Sequence, residues 1–232
     1  MFLYKKDFNE SARQAWLKKT LGRLPAGLRI LDIGAGELKN KVLCEHLDYV
    51  SQDFCQYDGS DAEATAGLHR AGWNTDKIDV VSDILKIPCP DASFDIILCS
   101  EVLEHVPEPT HAILEFSRLL KPNGLLILTA PFASFLHMAP YHFSTGFTRY
   151  WYEHHLAIRG FSITVLEPNG SWSSVLMQEL QRLSGLARAN KSLYWPFIFL
   201  YTYLGCTYLR LHKYLAQPDF ACFGFHCVAV KL

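Results

Sequence analysis

What this sequence lacks narrows it first. No Cys-x-x-Cys pair occurs among its seven cysteines, Cys44, Cys55, Cys89, Cys99, Cys206, Cys222 and Cys227. An odd number without paired spacing argues against a disulfide framework and for reduced thiols in a cytoplasmic protein. Cys99 lies in an apolar run, where a thiol packs as a small hydrophobe. There is no surplus of either charge: 22 basic against 23 acidic side chains leave a net charge of −1. A nucleic-acid partner is therefore not expected. No long apolar core follows the charges of the opening Met1-Phe2-Leu3-Tyr4-Lys5-Lys6-Asp7, so it does not read as a signal peptide. No internal repeat or low-complexity tract is present. Two glycine signatures are missing as well. Lys39 stands where a Gly-x-Gly-x-x-Gly beginning at Gly34 requires glycine, and no Gly-Lys-Ser/Thr of a P-loop follows.

What remains is a chain of 232 residues, half of them apolar and 19% charged. That is enough for one α/β domain with a sizeable core. Its organising stretch is Arg29-Ile30-Leu31-Asp32-Ile33-Gly34-Ala35-Gly36-Glu37. A buried strand at 28–33 runs into a glycine turn, and a helix over 37–47 is predicted from Leu38, Val42, Leu43 and Leu47. Glycines there let a ligand approach the backbone, with helix-start amides facing it. An ordinary βα turn would read the same way. Tyr49–Asp53 is the second strand, and Asp53 ends it about 20 residues beyond the turn, where nucleotide-binding α/β folds place a ribose-binding carboxylate.

The rest of the chain continues the alternation. A helix at 9–22, capped by Ser11, precedes the first strand. Residues 54–77 read as a loop with at most one short helix. Ile78–Val81 is the third strand, followed by Ser82-Asp83-Ile84, where Asp83 also suits a helix N-cap. Ser93–Ser100 is a nearly continuous apolar run, as a central parallel strand requires. A helix runs from Glu108 to Leu120, ended by Lys121-Pro122-Asn123-Gly124, and Leu125–Thr129 is the fifth strand. Residues 130–149 show no periodicity, and long irregular loops of this kind are usually functional. A helix at 149–159, a strand Phe161–Leu166, a helix at 173–188 and a last strand Ala221–Lys231 follow.

Leu-Asp-x-Gly-x-Gly at 31–36, the acid after the third strand, Phe94 to Val106 with its Glu101-Val102-Leu103-Glu104-His105, and Leu-Lys-Pro-Asn-Gly at 120–124 together resemble class I S-adenosylmethionine (SAM)-dependent methyltransferases. Within that group the likeness is to type 11-like enzymes of small molecules and cell-surface polysaccharides. The resemblance implies a Rossmann-like, mostly parallel seven-stranded sheet in the order 3-2-1-4-5-7-6, with helices on both faces. It implies SAM as cofactor, held by Asp32, Gly34, Gly36, Asp53, Asp83, Ile84, Ser100 and Glu101. All of these fall at the carboxyl edge of the sheet, where such folds bind ligands. The expected arrangement is one domain over 1–232, with an aromatic-rich insertion at about 190–217.

The expected function is methyl transfer to a small-molecule, sugar or lipid-linked acceptor, at oxygen. The alternatives are a quinone or other lipid acceptor at a membrane surface, and a non-catalytic scaffold of the same fold. His105 and His142 are the candidate bases, since imidazole titrates near neutral pH; either can equally be a packed or surface histidine. Glu101, Glu104, His105 and His142 also resemble the spacing in small-RNA 3′-end and ubiquinone-pathway methyltransferases, whose residues can bind a divalent metal. Glu-x-x-Glu-His occurs without metal too, so no metal ligand is assigned. Finally, Ser192–Leu209 has no Asp, Glu, Lys or Arg and seven aromatics. It is open to three readings: core packing over the sheet, a homodimer face, or a peripheral membrane or lipid-acceptor patch.

Overall fold

The computed structural model describes residues 8–57, 59, 74–212, 217–218 and 220–232. The loop predicted over 54–77 lies largely outside them. Seven strands form one sheet: β1 (Arg29–Ile33), β2 (Asp48–Asp53), β3 (Val80–Val81), β4 (Phe94–Ser100), β5 (Leu120–Pro131), β6 (Phe161–Asn169) and β7 (Gly224–Lys231). The described helices of more than one turn are α1 (Phe8–Leu21), α2 (Pro109–Leu119), α3 (Arg149–Ala157), α4 (Trp172–Ala189) and α5 (Trp195–Leu211). The sheet order is 3-2-1-4-5-7-6, as expected. β1 pairs in parallel with β2 and β4, β2 with β3, and β4 with β5, while β7 runs antiparallel to β5.

The chain divides into two compact units. The larger comprises 16–167 and 224–232 and contains most of the sheet. Its core on one face gathers Leu17 and Leu21 of α1, Ile30, Ile96, Leu98 and Ile127. Trp16 of α1 stacks on His226, with ring centroids 4.6 Å apart, whereas Tyr152 of α3 meets Phe225 at 5.8 Å. Consecutive strand residues point to opposite faces, so α1 and α3 cover opposite sides of the sheet. β4 is buried nearly throughout, which its continuous apolar run required.

Three local expectations differ from the structure. The helix predicted at 37–47 is a chain of turns with one 3₁₀ turn at Lys41–Leu43. Leu38, Leu43, Cys44 and Leu47 each donate their amide three residues back, and Leu38 sits at φ +60°, outside the α-helical region. Val42, counted toward an apolar stripe, is exposed. Leu120–Gly124 does not end a helix in a loop. It enters β5 directly, with Leu120 opposite Phe94 and a register shift before Ile96. Ser11 is not a cap: its hydroxyl donates to Phe8 O within α1.

The smaller unit comprises 1–15 and 168–223. Its described part is built on the α4–α5 pair. Thr202 Oγ1 donates to Leu180 O at 3.0 Å and the Cys206 thiol lies 3.8 Å from Met177 O, which makes the two helices antiparallel. Among the described residues no helix is long and apolar enough to cross a membrane.

Candidate functional site

β1 to β4 are parallel, so their carboxyl ends share one edge. There the backbone reverses through Gly34 (φ +66°) and Gly36 (φ +49°). A side chain at Gly34 would bring its Cβ within 2.4 Å of Val102 Cγ2, so glycine is required twice over. The turn amides are tied to β2: Ala35 N–H donates to Gln52 O at 3.0 Å and Gly36 N–H to Asp53 Oδ2 at 2.9 Å. Asp53 Oδ1 accepts from Cys55 N–H, also at 2.9 Å. The carboxylate is thus fixed in orientation while retaining lone pairs for further donors.

Asp83 is exposed beyond β3, and its Oδ1 accepts from Leu85 N–H at 2.8 Å within a turn; no helix follows it there, so it is not a helix N-cap. Ile84 follows, partly exposed. Gln52, which sequence reasoning passed over, ties this turn to β2 by donating from Nε2 to Ser82 O at 2.7 Å. At the end of β4, Thr129 Oγ1 donates to Glu101 Oε1 at 3.0 Å. A hydroxyl has one proton, so the 2.9 Å contact with Ser100 must be a bond from Ser100 to Thr129. Ser100, Thr129 and Glu101 form one directed chain, and Glu101 holds φ +57°.

Asp32 is buried inside the strand end and accepts from Tyr49 Oη at 2.7 Å. Burial raises its carboxyl from 3.8 to about 7, against hydrogen bonds from Tyr49 and Asn40, with Asp53 repulsion adding to the rise. Between about pH 4 and 7 the native state keeps a proton that the unfolded chain has released. Stability from this group therefore falls as pH rises through that window and levels above it. Asp32→Asn removes the slope. The variant's stability relative to wild type should grow by on the order of 3–4 kcal/mol from pH 4 to 8 in denaturant titrations. A flat difference would show that Asp32 titrates normally.

Beyond this edge, the 132–148 loop folds over Glu104: Phe143 and Ser144 N–H both donate to its backbone carbonyl. His105 Nδ1 lies 2.6 Å from Tyr141 O and His137 Nδ1 2.8 Å from Phe135 O. A carbonyl only accepts, so both rings carry hydrogen on Nδ1, and the neutral form of each leaves its lone pair on Nε2, which in His105 faces Glu104 Oε1 at 3.7 Å. One ligand atom each from Glu104, His105 and His137 lie within 4.8 Å of one another. His142 is adjacent, its ring 4.7 Å from His137 and 6.0 Å from His105. Ser134 Oγ donates to Thr145 O, so it accepts from His142 Nε2 at 3.2 Å. Burial, then the nearby His137, lowers the His142 pKa, keeping that ring neutral at pH 7. His137 was missed as a candidate; its one signal was a position in an aperiodic loop. Cys99, beneath the site, is buried, and that burial pushes its thiol far up, so it is no nucleophile.

A family described as "Methyltransferase domain" matches residues 6–183. The chain belongs to that family. Among relatives, a 27-O-demethylrifamycin SV methyltransferase of Amycolatopsis mediterranei is 30% identical over 122 residues, covering 51% of this chain and 45% of the relative. A ubiquinone biosynthesis O-methyltransferase of Maricaulis maris is 36% identical over 104 residues, covering 44% and 39%. The match thus spans less than half the length of either relative. Solved structures of this fold include the [4+2]-cyclase SpnF, at TM-score 0.58 and 19% identity over 95% of this chain and 80% of that one. Another is a phosphoethanolamine N-methyltransferase 2 of Haemonchus contortus in complex with SAM, at TM-score 0.56 and 17% identity over 94% and 52%. A cyclase among them means that the fold alone does not fix the reaction.

Proposed function

We propose that this methyltransferase-family chain transfers a methyl group from SAM to a hydroxyl oxygen of a small-molecule acceptor. The observation that carries this reading is the pairing at one edge of an anchored carboxylate, Asp53, with the Glu104–His105–His137 group under the 132–148 loop. SAM is already an activated donor, so the protein's tasks are alignment and removal of the acceptor proton. The donor set fits the cofactor: Asp53 has acceptor capacity for ribose hydroxyls, Asp83 is an exposed acceptor for an adenine amino group, and Gly34–Gly36 present little bulk to the methionine part.

His105, through Nε2 in its neutral form, and the neutral His142 are the groups able to take the acceptor proton. Two imidazole nitrogens and a carboxylate are also a fitting donor set for a divalent cation. Bound there, such an ion would lower the pKa of an acceptor hydroxyl. The relatives' names support an oxygen acceptor, and the ubiquinone-named ones keep a quinone or other lipid acceptor open.

The test is calorimetric titration with S-adenosylhomocysteine, then transfer of labelled methyl to catechol, sugar and quinol acceptors with Mg²⁺ or with chelator. Micromolar binding and a methylated oxygen support the reading. A folded protein that binds no S-adenosylhomocysteine would be a scaffold of the same fold.

A further inference from the structure

Helix α5 is built inside out. Its inner side, at helical spacing, carries Thr202, Gly205 and Cys206, and these meet α4: a Cβ at Gly205 would lie 3.1 Å from Leu180 Cδ1. Its outer side is the bulky one. Phe197, Leu200, Tyr201, Leu204, Tyr208 and Leu211 recur every three to four residues, and each is at least half exposed, Phe197 at 73% and Leu211 at 75%. The reading of this segment as core packing therefore fails for its outer stripe. A helix of 17 residues makes that stripe about 25 Å long. Contiguous apolar surface of this size marks an interaction site.

The charges say what kind. From 180 to 212 there is no Asp or Glu, while Arg182, Arg188, Lys191 and Arg210 are present. Arg182 is paired with Glu179 on α4. Arg188, in the last turn of α4, and Lys191, in the turn between α4 and α5, are exposed, and Arg210 is exposed in the last turn of α5. Cations thus stand at both ends of the stripe. Tyr194, Trp195, Tyr201, Tyr203 and Tyr208 combine apolar rings with polar tips suited to the level of lipid headgroups. A second copy of this face would bring the same cations together, and it has no acid to meet them.

We propose that the outer face of α5 docks on an anionic lipid bilayer, the helix lying in the plane of the membrane. Its apolar stripe enters the headgroup–acyl boundary, and Arg188, Lys191 and Arg210 contact lipid phosphates. Lying flat places both cationic ends at headgroup depth together, which a crossing helix cannot do. The chain also leaves the sheet after β6 and re-enters the same sheet at β7. None of these residues belongs to the proposed catalytic edge, so the idea stands apart from the methyl-transfer reading.

The full chain is sedimented with vesicles of phosphatidylcholine and phosphatidylglycerol in equal parts, and with vesicles of phosphatidylcholine alone. Wild type should bind the mixed vesicles and release them at high salt. The double variant Phe197→Ser/Leu204→Ser should bind at least about tenfold more weakly. Arg188→Glu should lose about fivefold or more at low salt. Unchanged S-adenosylhomocysteine binding and unfolding midpoint show that the variants are folded. Failure of folded wild type to bind anionic vesicles overturns the proposal. So does binding that the double variant retains. A concentration-dependent dimer that the double variant abolishes, with no vesicle binding, would assign the face to a second copy instead.

Discussion

Asp53→Ala should abolish measurable S-adenosylhomocysteine binding in calorimetry while leaving the protein folded. Two effects combine. A hydrogen bond to a charged group contributes roughly 1.5–3 kcal/mol, and a carboxylate can accept from both ribose hydroxyls, so about 10²- to 10⁴-fold in affinity is at stake. The same carboxylate also receives Gly36 and Cys55 N–H, both at 2.9 Å. Removing it leaves those two amides unanswered and loosens the glycine turn that lies against β2. Asp53→Asn should fail nearly as badly. Its amide has one acceptor oxygen, and its NH₂ would face one of the two donating backbone groups. Retention of micromolar affinity by Asp53→Ala would place the ribose elsewhere and remove the anchor of the proposed cofactor site.

The second large effect is expected at His105. His105→Ala should lower kcat by about 10²- to 10⁴-fold, the usual contribution of a positioned proton acceptor. S-adenosylhomocysteine affinity should stay within a few-fold, because His105 stands beyond the glycine turn and Asp53 and is held by Tyr141 O. His137→Ala distinguishes the two ways the site can work. If His105 acts as a base, only His105→Ala is severe, and chelator changes little. If Glu104, His105 and His137 hold a cation, both variants are severe, turnover falls with chelator, and added Mg²⁺ restores wild type alone. Wild-type turnover in His105→Ala, with an oxygen acceptor in hand, would remove this group from the reaction.

Much of the candidate cofactor edge is legible in the sequence because it is written locally. Strand ends, the glycines after Asp32, and the acids Asp53 and Asp83 sit at fixed distances along the chain, and parallel pairing places strand ends together. The 37–47 segment was misread because its apolar residues suit a helix, yet the backbone at Leu38 (φ +60°) has turned out of helical conformation before one can start. Periodicity registers side chains and carries no record of such a backbone reversal. His137 escaped for the opposite reason. It stands 32 positions from His105 in a loop without periodicity, and only the fold of that loop over Glu104 brings the two rings to 4.7 Å.

The sequence by itself determined the α/β class, the glycine turn after β1, the acid that ends β2 and the one that follows β3, and the charge-free aromatic run near the end. These depend on neighbours in the chain, on composition and on short spacings. Tertiary structure alone decided that Asp32 is buried enough to titrate near pH 7, that His105 turns an Nδ1 hydrogen toward a carbonyl, and that the bulky side of α5 faces outward. Each of these depends on what another part of the chain places against the residue: Tyr49 and Asn40 beside Asp32, the Tyr141 carbonyl beside His105, and α4 against Thr202 and Cys206.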